Sequence, residues 1–296
     1  MRRSVPGVLL LGWSSLAAAQ APPGTDVFLV DLAVRGGGVT VGTPVNLTKR
    51  AGYDNQPGFA ADGRSLFYTS VRDGGPKGTT QSDIYRVDLA TRAITPFTQT
   101  TESEYSATVT PDGKDVAVIR VEQDSTQRLW AFPLKGGAPR VLLPGIKPVG
   151  YQTWIDAGTV GIFVLGSPPT LQLASVATGQ AKILLADIGR ALQRVPGKAA
   201  IAVSHRASEG AWWAVEVDVA TAALTPIVRL PAGADYFVWL PDRSLLAATG
   251  SSLIRYRPGE DTDWATVAQW PSIKGITRLA VSPKGNQLVF VAEDAL

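Results

Sequence analysis

Cysteine is missing from the 296-residue chain, and histidine occurs once, as His205. The first absence excludes a disulfide framework, a cysteine-ligated metal and the lipid-attachment cysteine of a bacterial lipoprotein. The second excludes the clustered histidines on which many transition-metal sites depend, and leaves a Ser-His-Asp arrangement a single base to use. No G-x-S-x-G elbow is present, and no α/β-hydrolase half accompanies the chain. Beyond the leader described below, no apolar run approaches the length of a transmembrane helix, so membrane insertion is not expected. Nor is there a basic block. The 28 Lys and Arg face 25 Asp and Glu, for a formal charge of +3, and their dispersal argues against nucleic acid as a partner.

The chain opens "MRRSVPGVLLLGWSSLAAAQAPPG". Arg2 and Arg3, the apolar stretch Val8 to Leu16 and the small residues Ala17-Ala18-Ala19 fit a secretory signal peptide over 1–19, cut at Ala19/Gln20. Export to the periplasm or the medium is therefore expected. Residues 20–296 are read as a single domain. Their 30 Gly and 21 Pro, counted over the whole chain, describe many short elements joined by many turns.

Internal repetition organises this remainder. "PGFAADGRSLFYTS" (57–70) reads as strand, Asp-Gly turn, strand, and "ATVTPDGKDVAVIR" (107–120) repeats it. Weaker copies follow at 151–165, 192–204, 237–250 and 278–294, at a mean step of about 44 residues, in the range of propeller blades. A second motif, "TDVFLVDLAVR" (25–35) and "SDIYRVDLATR" (82–92), recurs between them, followed each time by a plainer strand such as "VGTPVNLT" or "AITPFTQ". One unit is thus four antiparallel strands. The N-terminal part supplies third and fourth strands with no hairpin before them, and the C-terminus ends on a first and a second. The pattern predicts an all-β, six-bladed β-propeller of four-stranded antiparallel blades, closed by a mixed blade from both ends. Such a ring leaves no free radial edge, so a monomer is expected.

"DNQPGFAADGRSLFYTSVRDG", "SDIYRVDLATR" and "YSATVTPDGKDVAVIR" resemble the repeat of TolB-like propellers, the WD40-like or PD40 group named for its Pro-Asp-Gly turn. The likeness covers the propeller alone, without the N-terminal domain of TolB. It is strong in two units and eroded elsewhere, where the turn becomes Asp156-Ala157-Gly158, Pro196-Gly197-Lys198, Pro241-Asp242-Arg243 and Pro283-Lys284-Gly285. The resemblance implies a non-catalytic module that binds a protein or peptide of the cell envelope, with no cofactor.

Three kinds of candidate site remain. Asp54, Asp62 and Asp73 lack the alternating spacing of a calcium loop. Asp62 and Asp112 read as turn formers, and Asp73 as the start of a longer loop. Glu102, Glu104, Asp54 and Asp235, on segments entering the innermost strands, are the carboxylates a glycosidase-like or other hydrolytic or lyase alternative would use. Tyr53, Tyr105, Tyr151 and Tyr236 stand just ahead of four innermost strands, with Asn55, Gln152, Arg190, Arg194, Lys274 and Arg278 in comparable stretches. Repeat symmetry would gather these side chains around one axial mouth, where aromatic residues and arginine favour recognition. Packing of the tyrosines between blades is the alternative. The tryptophans from Trp130 onward are expected to pack between blades, and His205 to sit in an outer loop after a second strand.

Overall fold

A computed structural model describes residues 24–72 and 81–294. The signal-peptide assignment and Asp73 lie outside them. Among the described residues there is no helix, and twenty-five strands form six antiparallel sheets. Five sheets are successive four-stranded blades. They are β4 to β7 (Asp54–Phe59, Ser65–Arg72, Gln81–Asp88, Ile94–Pro96), β8 to β11 (Ser103–Val109, Asp115–Val121, Gln127–Pro133, Arg140–Val141), β12 to β15 (Val149–Trp154, Thr159–Val164, Thr170–Ser175, Ala181–Ala186), β16 to β19 (Ile188–Arg194, Ala200–Arg206, Trp212–Asp218, Leu224–Arg229) and β20 to β23 (Phe237–Trp239, Leu245–Thr249, Ser252–Tyr256, Ala265–Gln269).

The sixth sheet joins the two ends of the described chain. Its order is β2 (Gly38–Val41), β1 (Thr25–Arg35), β25 (Gln287–Glu293), β24 (Thr277–Val281), and β3 (Val45–Asn46) also pairs with β1. The fourth strand read over "VGTPVNLT" (41–48) is reduced to β3, and β2 precedes it, sharing only Val41. Thr25 pairs with Glu293 and the register runs unbroken to Asp31 opposite Gln287. Phe28 and Phe290, opposite each other in that register, stack with ring centroids 5.4 Å apart, and Trp270 stacks on Phe290 at 5.6 Å.

The second strand of each blade is a continuous apolar run, "LFY", "VAVI", "GIFV", "IAV", "LLAA" and "LVFVA", because it is covered by a neighbouring blade on both faces. The first strands touch in the cycle β24, β4, β8, β12, β16, β20 and back to β24. That cycle surrounds the axis, and it sets β24 diametrically opposite β12.

The turns at the far end of each first strand explain how eroded copies keep the fold. Gly63 donates its N–H to Ala60 O at 2.9 Å, Gly113 to Thr110 O at 2.8 Å, and both glycines have φ near +66°. Asp62 and Asp112 accept the N–H two residues on, from Arg64 and Lys114. In the "LPDRS" copy the same bond runs from Arg243 to Leu240 O at 2.9 Å, with Arg243 itself at φ 65°. Geometry is retained although glycine is not.

Loss of the Phe290 ring would open a cavity where both ends of the chain are held. Phe290→Ala is expected to cost about 3–5 kcal/mol. Val45→Ala, half exposed on the outer edge, should change stability by less than about 0.5 kcal/mol. Equilibrium urea unfolding of the two variants checks the contrast.

Candidate functional site

Five of the six first strands carry a bulge, between Asn55 and Gly58, Tyr105 and Thr108, Val149 and Tyr151, Ile188 and Leu192, and Thr277 and Ala280. In three of them the bulge places a non-glycine residue in the left-handed region, Gln56 at φ 56°, Ser106 at 54° and Arg278 at 53°. Each such residue costs on the order of 1 kcal/mol or more, and bulges of this kind re-aim side chains beside functional sites. Here neighbouring side chains hold them. Ser106 N–H donates to Gln56 Oε1 at 2.8 Å, Thr69 Oγ1 donates to the same oxygen at 2.9 Å, and Gln152 Nε2 donates to Ser106 O at 2.7 Å.

The result is an axial mouth and a chamber below it, to which together every blade contributes. A cavity of about 540 Å³ is lined by Tyr53, Gln56, Tyr105, Tyr151, Arg190 and Arg278, with Phe163, Leu165 and Pro169 on one side. Beneath it, a chamber of about 250 Å³ is lined by Gln56, Tyr151, Gln152, Arg190, Tyr236 and Arg278 among others. Arg278, from β24, reaches across the axis to β12, where its Nη2 donates to Tyr151 Oη at 2.9 Å. Its guanidinium lies over two rings, 4.2 Å from the centroid of Tyr236 and 4.8 Å from that of Tyr151, within cation–π range. Tyr236 and Arg190 also line the chamber together, close enough for each to feel the other electrostatically. Burial pushes the Tyr53 phenol up to about 12, against the pull of Arg278, and raises Tyr236 in the same way. These two phenols are neutral at ordinary pH, so they offer hydroxyl groups and ring faces while Arg190 and Arg278 supply positive charge.

The candidate residues separate into three groups. Tyr53, Tyr105, Tyr151, Gln152, Arg190, Tyr236 and Arg278 line the mouth or the chamber below it. Tyr53 and Tyr236 stand ahead of β4 and β20, but Tyr105 and Tyr151 lie inside β8 and β12. Asp54, Asn55 and Glu104 are buried away from both cavities. Asp54 accepts from Ser70 Oγ and pairs with Arg50 at 3.0 Å. Asn55 Nδ2 donates to Thr25 Oγ1 at 3.3 Å. Glu104 accepts from Thr100 Oγ1 at 2.6 Å and pairs with Arg120 Nε at 3.3 Å, and Arg120 also holds Glu102. Burial tends to raise Glu102, but the Arg120 hydrogen bond and charge prevail and keep it below its ordinary value. Arg194 is exposed at the far end of β16, roughly 13 Å from Arg190 at ~3.3 Å per residue, and Asp235 lines a different, lateral pocket. His205 lies within β17, where it pairs with Ile188 and Trp213.

The buried acids belong to a repeated clamp. Thr48 Oγ1 donates to Asp26 and accepts from Val27 N–H, as Thr98 Oγ1 donates to Asp83 and accepts from Ile84 N–H. Arg50 then meets Asp54 four residues on, as Thr100 meets Glu104. Both acids sit two residues before a left-handed bulge residue, and so fasten the approach to the mouth. Nothing in the sequence signals Gln56, Ser106, Phe163, Leu165 and Pro169, since the first two owe their place to the bulges, Phe163 lies at the end of the second strand β13, and Leu165 and Pro169 follow it.

No family model and no curated protein matches the chain. Among solved structures it is similar to a putative TolB from Agrobacterium tumefaciens, at 14% identity and TM-score 0.68 over 92% of this chain and 99% of that one. It is also similar to a chain of a nidogen/laminin complex, at 12% identity and TM-score 0.62 over 92% and 100%, and to an oligogalacturonate lyase in complex with manganese, at 16% and 0.57 over 89% and 85%. These likenesses establish a TolB-like six-bladed propeller as the fold. Among the described residues no group of three or more His, Asp or Glu could hold a metal ion, so no counterpart of that lyase's manganese is assigned.

Glu104 gives the clamp a pH signature. Burial lifts its carboxyl from 4.5 to about 7, outweighing Thr100 and an Arg120 that is shared with Glu102. A raised acid takes up its proton more readily in the folded state, so its contribution is full below pH 4.5 and fades as pH rises through 7. Glu104→Gln should remove this component. The difference in unfolding free energy between variant and wild type is expected to shift in the variant's favour by on the order of 1–3 kcal/mol between pH 4.5 and 7.5, read from urea midpoints.

Proposed function

We propose that the protein is an exported, non-catalytic binding module whose axial mouth captures an acidic segment of another protein of the cell envelope. One observation carries this reading: among the described residues, the mouth and the chamber below it are lined by two arginines, four tyrosines and no carboxylate. A surface that combines aromatic rings, phenolic hydroxyls and guanidinium groups, with no carboxylate among its lining residues, is suited to carboxylate-bearing partners, which Arg can hold through paired hydrogen bonds. The fold likeness to TolB, and to a chain of a nidogen/laminin complex, is consistent with a protein partner by analogy.

The likeness to an oligogalacturonate lyase supports a second reading, an enzyme acting on an acidic saccharide held by the same arginines. The carboxylates near the mouth do not favour it. Asp54 and Glu104 are sealed and Glu102 is committed to Arg120, which leaves no free acid pair facing the cavity among the described residues.

Capture from periplasmic extract separates the readings. A Tyr151→Ala, Arg278→Ala variant is expected to lose the proteins retained by wild type, while Arg194→Ala, distant from the mouth, keeps them. Identical retained sets would sink the binding role. Formation of unsaturated product from oligogalacturonate, abolished by Glu102→Gln, would establish the enzyme instead.

A further inference from the structure

The mouth is continued sideways by a second pocket. Phe163, Pro169 and Arg190, which form one wall of the axial cavity, also form one wall of a cavity of about 550 Å³ over the blade of β16 to β19 and the segment 230–235 that follows it. Its floor is apolar, from Ile188, Leu230 and Ala234, and its outer lip is Trp212, whose side chain remains 39% exposed. Trp212 does not pack between blades as the other strand tryptophans do. One edge of its indole approaches Gly189, where a Cβ would stand 3.1 Å from Trp212 Cζ3 and 2.3 Å from Ser204 Oγ. The absent side chain leaves room for the Ser204 hydroxyl and for the approach of the indole at the pocket wall.

Chemically this pocket differs from the mouth. Apolar walls dominate, with Arg190, Arg229 and Asp235 at the edge, the composition of a site that takes a bulky apolar group flanked by charge. Arg190 faces both cavities. We infer that the partner segment bound at the mouth runs outward over Arg190 and seats a large apolar or aromatic side chain in the pocket beside Trp212. The inference rests on the binding role proposed above and specifies its ligand: an extended peptide in which an acidic residue for Arg278 and Arg190 lies within about four positions of the apolar anchor, at ~3.3 Å per residue. The exposed indole of Trp212 is the surface that such an anchor desolvates.

Selection of a random-peptide phage library on the folded protein tests this without knowledge of the natural partner. The recovered peptides are expected to share an acid and a nearby Trp, Phe, Leu or Met. One of them, synthesised, then serves as the titrant. Trp212→Ala, which removes the lip, and Ala232→Trp, which fills the pocket from an exposed position, should each weaken it about tenfold or more. A glycine replacement of the peptide's apolar residue should bind wild type and both variants alike. Thermal unfolding verifies that the variants are folded.

Peptides that share only the acid, and bind both variants as they bind wild type, overturn the lateral anchor while leaving the mouth in place. Peptides without an acid, or binding unaffected by Arg278→Ala, overturn the mouth itself. Recovery of no common sequence overturns both.

Discussion

Everything at the mouth depends on the ladder between β1 and β25. Tyr53 and Arg278 stand at opposite ends of the sequence, and they become neighbours only because Thr25 to Asp31 pair with Glu293 to Gln287. Without that pairing the six first strands would fan into an open stack with two bare edges, a form that invites other strands and has no axis. The ladder makes closure a property of the backbone. Stacked Phe28, Phe290 and Trp270 then make it costly to undo, because the rings that would be exposed are among the largest in the core.

A closed ring of six similar blades concentrates whatever each contributes at its inner edge, and here the contributions are sorted by charge. The acids were turned into the body of the blades. Asp54 and Glu104 accept the desolvation cost of burial, and surrounding hydroxyl and guanidinium groups offset it only in part, which is why both are raised. In exchange they fasten the segments that enter the mouth. The arginines remain free to face the axis, so the mouth is cationic in a protein whose overall charge is only +3.

Much of the fold was legible in the sequence because repetition amplifies weak signals. An Asp-Gly turn between alternating residues means little once, but recurring copies with a displaced start define both blade number and the shared blade. Tyr53, Tyr105, Tyr151 and Tyr236 were found by the same reasoning, as were Arg190 and Arg278. Where the reading went astray, a local departure from regular strand geometry was responsible. Counted from the bulge residues, Tyr53 stands three positions before Gln56 and Tyr105 one before Ser106, so the two tyrosines hold different places in their blades, and Tyr105 falls inside a strand where Tyr53 precedes one. Asp54 and Glu104 look like rim acids until the clamp that seals them is seen. Arg194 differs from Arg190 by one run down the same strand, a distance that spacing relative to a blurred boundary does not resolve. Trp212 carries no mark of exposure in sequence, since its place depends on the missing side chain of Gly189.

Arg278 and Tyr151 face each other across the full width of the ring, and their hydrogen bond stands between the upper cavity and the chamber below. A propeller is commonly pictured as a wheel with a bore. This one is stoppered: a chain threading it from face to face would have to draw the bolt first. A guest of the kind proposed would therefore enter and leave on the side of the mouth and its lateral pocket, and the Asp-Gly turns at the other end of the first strands would stay out of its reach.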